Sequence, residues 1–385
     1  MPRVGQDLTI FYSAVIMKSI QGEVVDMKTW KKVLIGVAIA LGVILLAVII
    51  YLCYVIFSYS RIPDMQKLDI DKGDTQPAVK TGQTYTIATQ NLGFGAYTAD
   101  FTFFMDGGKE SRAESRESVI DCINRGAETV KGLDPDFILF QEVDLDSTRS
   151  HHTNQYKMLR EHFAGYASSY AVNYDSAYLM YPIFSPHGKS YSSLATFSRF
   201  DITSSVRRSL PISESLSKFL DLDRCYSVSR IPTENGKELV IFNVHTSAYG
   251  SDDSVRYAQM SMLFGNMNEE YKKGNYVICG GDFNHDFTGD SSQKLNGADA
   301  DFGWAQPLPT DMLPEGFSTC TNYAGETLYP TCRNCDVPYK KGNFTIIVDG
   351  FIVSDNIKCA EVVNIDTGFT YSDHAPVKMM FELVQ

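Results

Sequence analysis

From Val33 to Phe57 the chain runs for 25 residues without a charged side chain (VLIGVAIALGVILLAVIIYLCYVIF). A helix of about 20 apolar residues is enough to cross the hydrocarbon layer of a bilayer, so the pattern predicts one N-terminal transmembrane helix over 33–57. A signal peptide has a shorter apolar region, about 7–15 residues, followed by small residues at the cleavage point. Here Tyr51, Tyr54, Phe57 and Tyr59 stand where those small residues belong, and the segment is read as an uncleaved anchor. Lys28, Lys31 and Lys32 precede it directly and only Arg61 follows closely. The positive-inside bias therefore predicts a cytoplasmic segment over 1–32, with the rest of the chain outside the cell membrane. Residues 1–26 show no clear pattern, and Met27 before Lys28 offers an alternative start. Residues 58–84 are polar, carry Pro, Gly and Asp, and read as a tether.

From residue 85 to 385 no second linker, repeat or charge block appears, which predicts one domain. Short apolar runs rich in β-branched and aromatic residues predict strands at 85–91, 137–142, 194–200, 239–245, 276–284, 346–354 and 375–383. Helical periodicity at 113–131 puts Val119, Ile120, Ile123, Ala127 and Val130 on one face, ending at Gly132 before Asp134 and Pro135. A second helix is predicted at 252–272, capped by Asp252, with Tyr257, Met260, Leu263, Phe264 and Met267 along one side.

With 44% hydrophobic and 21% charged residues, 22 Tyr and 23 Phe, the chain has ample material for a large core, which excludes disordered and low-complexity architectures. The formal charge of −12 argues against a broad polyanion-binding face. Seven of the eight cysteines follow the span, an odd number that cannot all pair within one molecule. Cys320, Cys332 and Cys335 share one loop-like stretch without a nearby His, which reads as a local disulfide or free thiols before it reads as zinc.

The strands also carry the candidate chemistry. Many end in, or border, a group able to hold a metal or move a proton: Asn91, Glu142, His245, Asp282 with Asn284, Asp349, and Asp373 with His374. Singly, each has a plainer explanation as a turn former, a solvated strand end or a core histidine. Together, six apolar runs bearing such groups at their ends point to one functional rim of a rigid scaffold.

The segments TQNLG (89–93), QEVD (141–144), NVHTSA (243–248), GDFNHD (281–286), VDGFIVS (348–354) and SDHAPV (372–377) resemble, in order, the motif set of the endonuclease/exonuclease/phosphatase superfamily of deoxyribonuclease I-like fold. The resemblance implies an α/β fold, a four-layered sandwich of two packed mixed β-sheets with helices outside. It implies a hydrolase that cleaves phosphate esters by in-line attack of water with Mg2+, for which Mn2+ is a substitute. Glu142 and Asn91 supply oxygen ligands suited to a hard cation, and Asp373 joins them or lies just behind. His374 contacts the phosphoryl group or acts as base, oriented by Asp349. Asp282 is the other candidate base, Asn284 a donor to the phosphoryl oxygen, and His245 a neutralising group or leaving-group acid.

Two departures stand out: Ser193 where the family usually has glycine, and a long stretch, 286–345, that fits no named subfamily. Arg333 within it is either a phosphate clamp or a surface arginine. The leading expectation is a membrane-tethered phosphoesterase whose phosphate-ester substrate is a phospholipid head group or a small phosphodiester. The alternatives are an extracytoplasmic nuclease, with nucleic acid as substrate, and an inactive binding module on the same scaffold.

Overall fold

The computed structural model describes residues 5–219, 222–247, 253–297, 304, 306–324 and 328–384. It divides into two compact units, 1–58 and 59–385. The first is a helix, α1 (Gly5–Ser58), that runs unbroken through both the charged segment and the apolar run. Its Lys28–Ser58 part is exposed apart from Val55 and Tyr51 and, among the described residues, is the one helix long and apolar enough to cross a membrane.

The second unit contains, in chain order, β1 (Gln66–Lys67), β2 (Thr84–Asn91), α2 (Arg116–Gly132), β3 (Phe137–Asp144), α3 (Gln155–His162), β4 (Ala167–Asp175), β5 (Tyr191–Ser198), β6 (Ser204–Ser209), β7 (Cys225–Pro232), β8 (Glu238–His245), α4 (Asp253–Lys272), β9 (Tyr276–Asp282), α5 (Ser291–Asn296), β10 (Phe317–Thr319), β11 (Cys332–Arg333), β12 (Thr345–Ile346), β13 (Asp349–Ser354), β14 (Ile357–Asn364) and β15 (Val377–Leu383). One sheet has the order β14-β15-β2-β3-β5-β4 and the other β1-β6-β7-β8-β9-β13-β10. Each has a parallel pair at its centre, β2 with β3 and β8 with β9, among antiparallel neighbours.

The sequence of β3 explains the layering. Phe137 and Leu139 pack between the sheets with Ile87, Ile241, Ile278 and Phe351. Ile138 and Phe140 face outward onto α2 and α3 with Val119, Ile123 and Leu159. A strand covered on both faces reads as a continuous apolar run rather than an alternating one. On the other side, Met260, Leu263, Phe264 and Met267 of α4 cover Val240, Phe242 and Val277. The result is the expected α/β sandwich. Helix α2 begins at Arg116 because Ser115 caps it, accepting from Ser118 N. Tyr257 departs from its expected stripe and is exposed, and Asp252, the expected cap of α4, lies outside the described residues.

Strands β4, β6 and β7 escape the sequence pattern because serines interrupt their buried faces. Ser169, Ser205 and Ser229 form a chain of hydrogen bonds, each 3.0 Å long, across these strands. Buried polar side chains that satisfy one another leave no hydrophobic signature. Ser193, in the place of the family glycine, is accommodated by donating to Val143 O at 3.1 Å. All eight cysteines are free thiols, and Cys320 pairs by hydrogen bond with Cys359 rather than with Cys332 or Cys335.

The segment expected to be a tether is largely built into the second unit. Ile62 N donates to Asp223 Oδ2 at 2.8 Å, Arg61 to Leu210 O at 2.6 Å, and Tyr59 to Asp223 Oδ1 at 3.3 Å. Strand β1 then joins the sheet edge beside β6. Below it Arg207, fully buried, gives its N–H groups to Val172 O, Pro63 O and Asp223 O.

Candidate functional site

Parallel pairing puts the C-terminal ends of β2 and β3 on one rim and those of β8 and β9 on another, while antiparallel β13 and β15 begin at these rims. Register makes this concrete, because His245 pairs with Asp282 and Asp282 with Asp349, a row across three strands. The two sheets are joined just below by amides. Gln141 Nε2 donates to Asn243 Oδ1 at 2.8 Å, and Asn243 Nδ2 donates to Ala195 O at 3.0 Å. At the rim itself Asn91 Nδ2 donates to Asp282 Oδ2 at 3.0 Å.

Two glycines allow the approach of β9. A Cβ on Gly281, at φ +141°, would stand 2.2 Å from Val244 O, and one on Gly280 would stand 2.5 Å from the Phe351 ring. Glu142 sits at a bulge between Phe140 and Val143 with φ +54°, a left-handed conformation uncommon outside glycine. The bulge re-aims its carboxylate toward the rim. Asn284, at φ +48°, donates its backbone N–H to Asp282 Oδ1 at 2.9 Å and its side-chain amide to Thr246 O at 2.9 Å.

Asp282 is the hub. Its Oδ2 lies 3.5 Å from His245 Nε2 and 3.8 Å from His374 Nε2. His374 Nδ1 donates to Asp349 Oδ2 at 2.8 Å, which leaves Nε2 to face the site. Burial opposes charge on His374, but Asp349, with Cys332 and Asp282 nearby, outweighs it and holds the imidazole well above its ordinary value. His245 goes the other way, since burial and the charges of Arg224, His374 and Arg149 push it well below. Burial raises Asp282 to about 6 and Asp373 to about 7, in each case against the lowering effect of His374.

This donor set fits a hard divalent cation. Glu142 and Asp373 are carboxylates, Asn91 adds a neutral oxygen, and Glu142 repels Asp373, so both gain from a cation between them. Asp349 Oδ1 is buried without a hydrogen-bond partner. Asp282, Asp349 and His374 also lie close enough to hold an ion. The Asp349–His374 hydrogen bond engages one atom of each of these two residues, and Asn91 Oδ1 likewise accepts from Gly93 N at 2.9 Å.

A cavity of about 320 Å³ opens beside these groups. Its lining adds residues that the motifs did not reveal: Arg149, Arg224 and His187, with the rings of Phe94, Tyr97 and Tyr174. Arg149 grips Asp144 of the QEVD segment through two bonds of 3.1 and 2.9 Å and stacks on Phe94. It approaches Glu142 only to 4.0 Å. Nothing in the local sequence around Arg149 marks it, because its partners come from elsewhere in the chain. Arg333 is not a surface arginine: it lines the cavity, and its Nε has no hydrogen-bond partner among the described residues. It is buried, and its two Nη atoms donate to the carbonyls of Thr98, Phe101 and Asn334.

A family model described as "Endonuclease/Exonuclease/phosphatase family" matches residues 88–374. No curated protein matches the sequence. Among solved structures, an endonuclease/exonuclease/phosphatase from Beutenbergia cavernae is similar at 14% identity, covering 78% of this chain and 72% of that one, with a TM-score of 0.53. A family protein from Leptotrichia buccalis is similar at 15% identity, covering 77% and 99%, with a TM-score of 0.52. ANGEL2, described as a 2',3'-cyclic phosphatase in complex with adenosine-2',3'-vanadate, is similar at 14% identity, covering 83% and 99%, with a TM-score of 0.50.

The raised carboxylates make a prediction about stability. The folded state holds the Asp282 and Asp373 protons more tightly than an unfolded chain, whose Asp titrates near about 4. Their contribution is complete below that value and is lost as pH rises through about 6 and about 7. A divalent cation should therefore raise the unfolding midpoint more at about pH 7.5 than at about pH 5, and Asp373→Asn should flatten the difference. Equal gains at both pH values in the parent protein would refute this account.

Proposed function

Because the chain belongs to the endonuclease/exonuclease/phosphatase family, whose members are phosphate-ester hydrolases, we propose that it is a membrane-tethered, Mg2+-dependent phosphoesterase, with Mn2+ as a substitute. The observation that carries this reading is the gathering of Asn91, His245 and His374 around Asp282, with Glu142 and Asp373 at the same cavity. An inactive binding module would have no need of so costly a concentration of buried ionisable groups.

Asn91, Glu142 and Asp373 would hold the cation. When bound, it would supply positive charge to a phosphate oxygen and to the departing oxygen. The chain's own residues account for the proton and the geometry. Asp282, raised toward neutrality and steadied by the N–H of Asn284 and the amide of Asn91, is placed to accept the proton of an attacking water. His374, held cationic by Asp349, suits contact with the phosphoryl oxygens better than proton removal. On this reading Asp282 rather than His374 is the base. The Asn284 amide retains a second N–H beyond the one given to Thr246 O, and that N–H is available to the phosphoryl group. His245, kept neutral, is positioned beside Asp282 to serve the leaving oxygen. Arg333 acts by holding the 98–101 segment against the cavity.

The substrate favoured here is a phospholipid head group or a small phosphodiester, given the membrane-spanning character of Lys28–Ser58 and the net negative charge. Nucleic acid is the alternative. A panel of DNA, RNA, sphingomyelin, phosphoinositides and a generic phosphodiester separates them. Turnover should vanish in excess chelator and return with Mg2+ or Mn2+, and Glu142→Gln should weaken that return. Full activity in chelator would end the metal proposal.

The Asp349–His374 pair is expected to behave as one unit. His374→Ala should lower kcat by about 100-fold or more with little change in folding, and Asp349→Asn should slow turnover through the same imidazole. The double variant should be no slower than His374→Ala alone. Loss equal to the product of the single effects would show the two acting separately.

Lys28, Lys31 and Lys32 support an N-terminus in the cytoplasm and a catalytic unit outside the cell membrane. Protease added to intact cells should then digest the catalytic unit. Complete protection would reverse the orientation.

A further inference from the structure

Between β4 and β5, residues 178–184 (YLMYPIF) expose large apolar side chains: Tyr181 is 68% exposed, Ile183 75% and Phe184 101%. Water-soluble surfaces rarely present contiguous apolar residues of this size without a partner. Nor is the loop a loose strand that could fold its side chains away. Leu179 and Gly188 exchange backbone hydrogen bonds of 3.1 and 3.0 Å, and His187 N donates to Tyr181 O at 3.0 Å. Ser111 and Arg112 hold the carbonyls of Ser185 and Pro186. Phe104 packs against both Tyr181 and His187. The backbone is clamped on both sides while the tip residues face water.

Two further observations place this tip. His187 at the base of the loop lines the catalytic cavity, as does Met105, itself 56% exposed. The apolar surface is thus continuous with the cavity mouth. Independently, the chain enters the catalytic unit through Tyr59 and Ile62, both bonded to Asp223, and the neighbours Leu222 and Arg224 line the same cavity. Residue 59 follows directly on Ser58, the last residue of the membrane-spanning helix. The residues that receive the chain as it enters the catalytic unit and the residues that clamp the exposed tip therefore both adjoin the wall of one cavity.

We propose that the tip formed by Tyr181, Ile183 and Phe184, with Met105, inserts into the surface of the lipid bilayer, so that the cavity takes its phosphoester from lipid head groups rather than from solution. Aromatic and aliphatic side chains of this kind partition to the boundary between head groups and acyl chains. Clamping the backbone lowers the entropy lost when they do so. The choice of a lipid phosphoester as substrate rests on the phosphoesterase reading above; insertion of the tip does not.

The test uses the full chain reconstituted in phosphatidylcholine vesicles, with and without bromine on the acyl chains. A tryptophan introduced by Phe184→Trp should lose about half or more of its added emission to the bromines. One introduced by Lys358→Trp, exposed on β14 at the opposite edge of the six-stranded sheet, should lose none. Equal behaviour at the two positions would overturn insertion, and this readout needs no turnover, so it survives failure of the catalytic reading. The double variant Ile183→Asp, Phe184→Asp should then cut hydrolysis of sphingomyelin or phosphoinositide in vesicles by about tenfold. Hydrolysis of soluble bis-para-nitrophenyl phosphate should stay unchanged. If both activities fell together, or vesicle hydrolysis did not fall, delivery of substrate from the membrane would be rejected.

Discussion

The rim depends on amide contacts that cross between the two sheets. Gln141 and Asn243 meet between the sheets, joined by the hydroxyls of Thr89 and Thr196, and Asn91 reaches Asp282 from the other sheet at the rim. An apolar interface between sheets can slide at little cost, whereas a buried amide that loses its partner costs about 1–3 kcal/mol. The amides therefore set how the sheets align, and with that alignment the ends of β2 and β3 come to face those of β8, β9 and β13. The QE and NVH segments are in this sense paired designs: in each, one residue holds the sheets together and a near neighbour works at the rim.

That alignment explains the opposed states of the two histidines. Both are buried beside the same carboxylate, so burial alone would neutralise both. Only His374 has a second carboxylate behind its ring, and it is held protonated while His245 is not. Opposite protonation of neighbouring groups is what distinguishes a site able to move protons from a structural ion pair. Burial raises the carboxyls of Asp282 and Asp373 in turn.

Around this centre two buried arginines frame the cavity. Arg333 ties β11 to the 98–101 segment, and Arg149 ties the QEVD strand to Phe94. Arg149 is paired with a carboxylate, whereas the hydrogen-bond partners of Arg333 are backbone carbonyls. The cavity mouth is continuous with exposed rings and aliphatic side chains, consistent with a chain whose net charge is negative.

Much of this was legible in the sequence because it depends on local pattern. A long uncharged run marks a helix long and apolar enough to cross a membrane, and strands buried on both faces announce themselves as apolar runs whose terminal polar residues stand out. Strands β4, β6 and β7 were not legible, since serines that satisfy one another across strands look like solvated loop until their partners are known. The same holds for residues 59–67, whose polar character suggested a tether although their backbone groups are bonded to Asp223 and β6. By itself, then, the sequence determined the candidate span, the sandwich class and the identity of the rim residues, all carried by periodicity and short motifs. Tertiary structure decided that Asp349 backs His374, that Arg149 pairs with Asp144, and that Arg333 and the neighbours of Asp223 come to line one cavity. Apart from the Arg149 pair, each of these is a meeting of residues far apart in the chain, and distance along a sequence carries no information about it until the sheets are aligned.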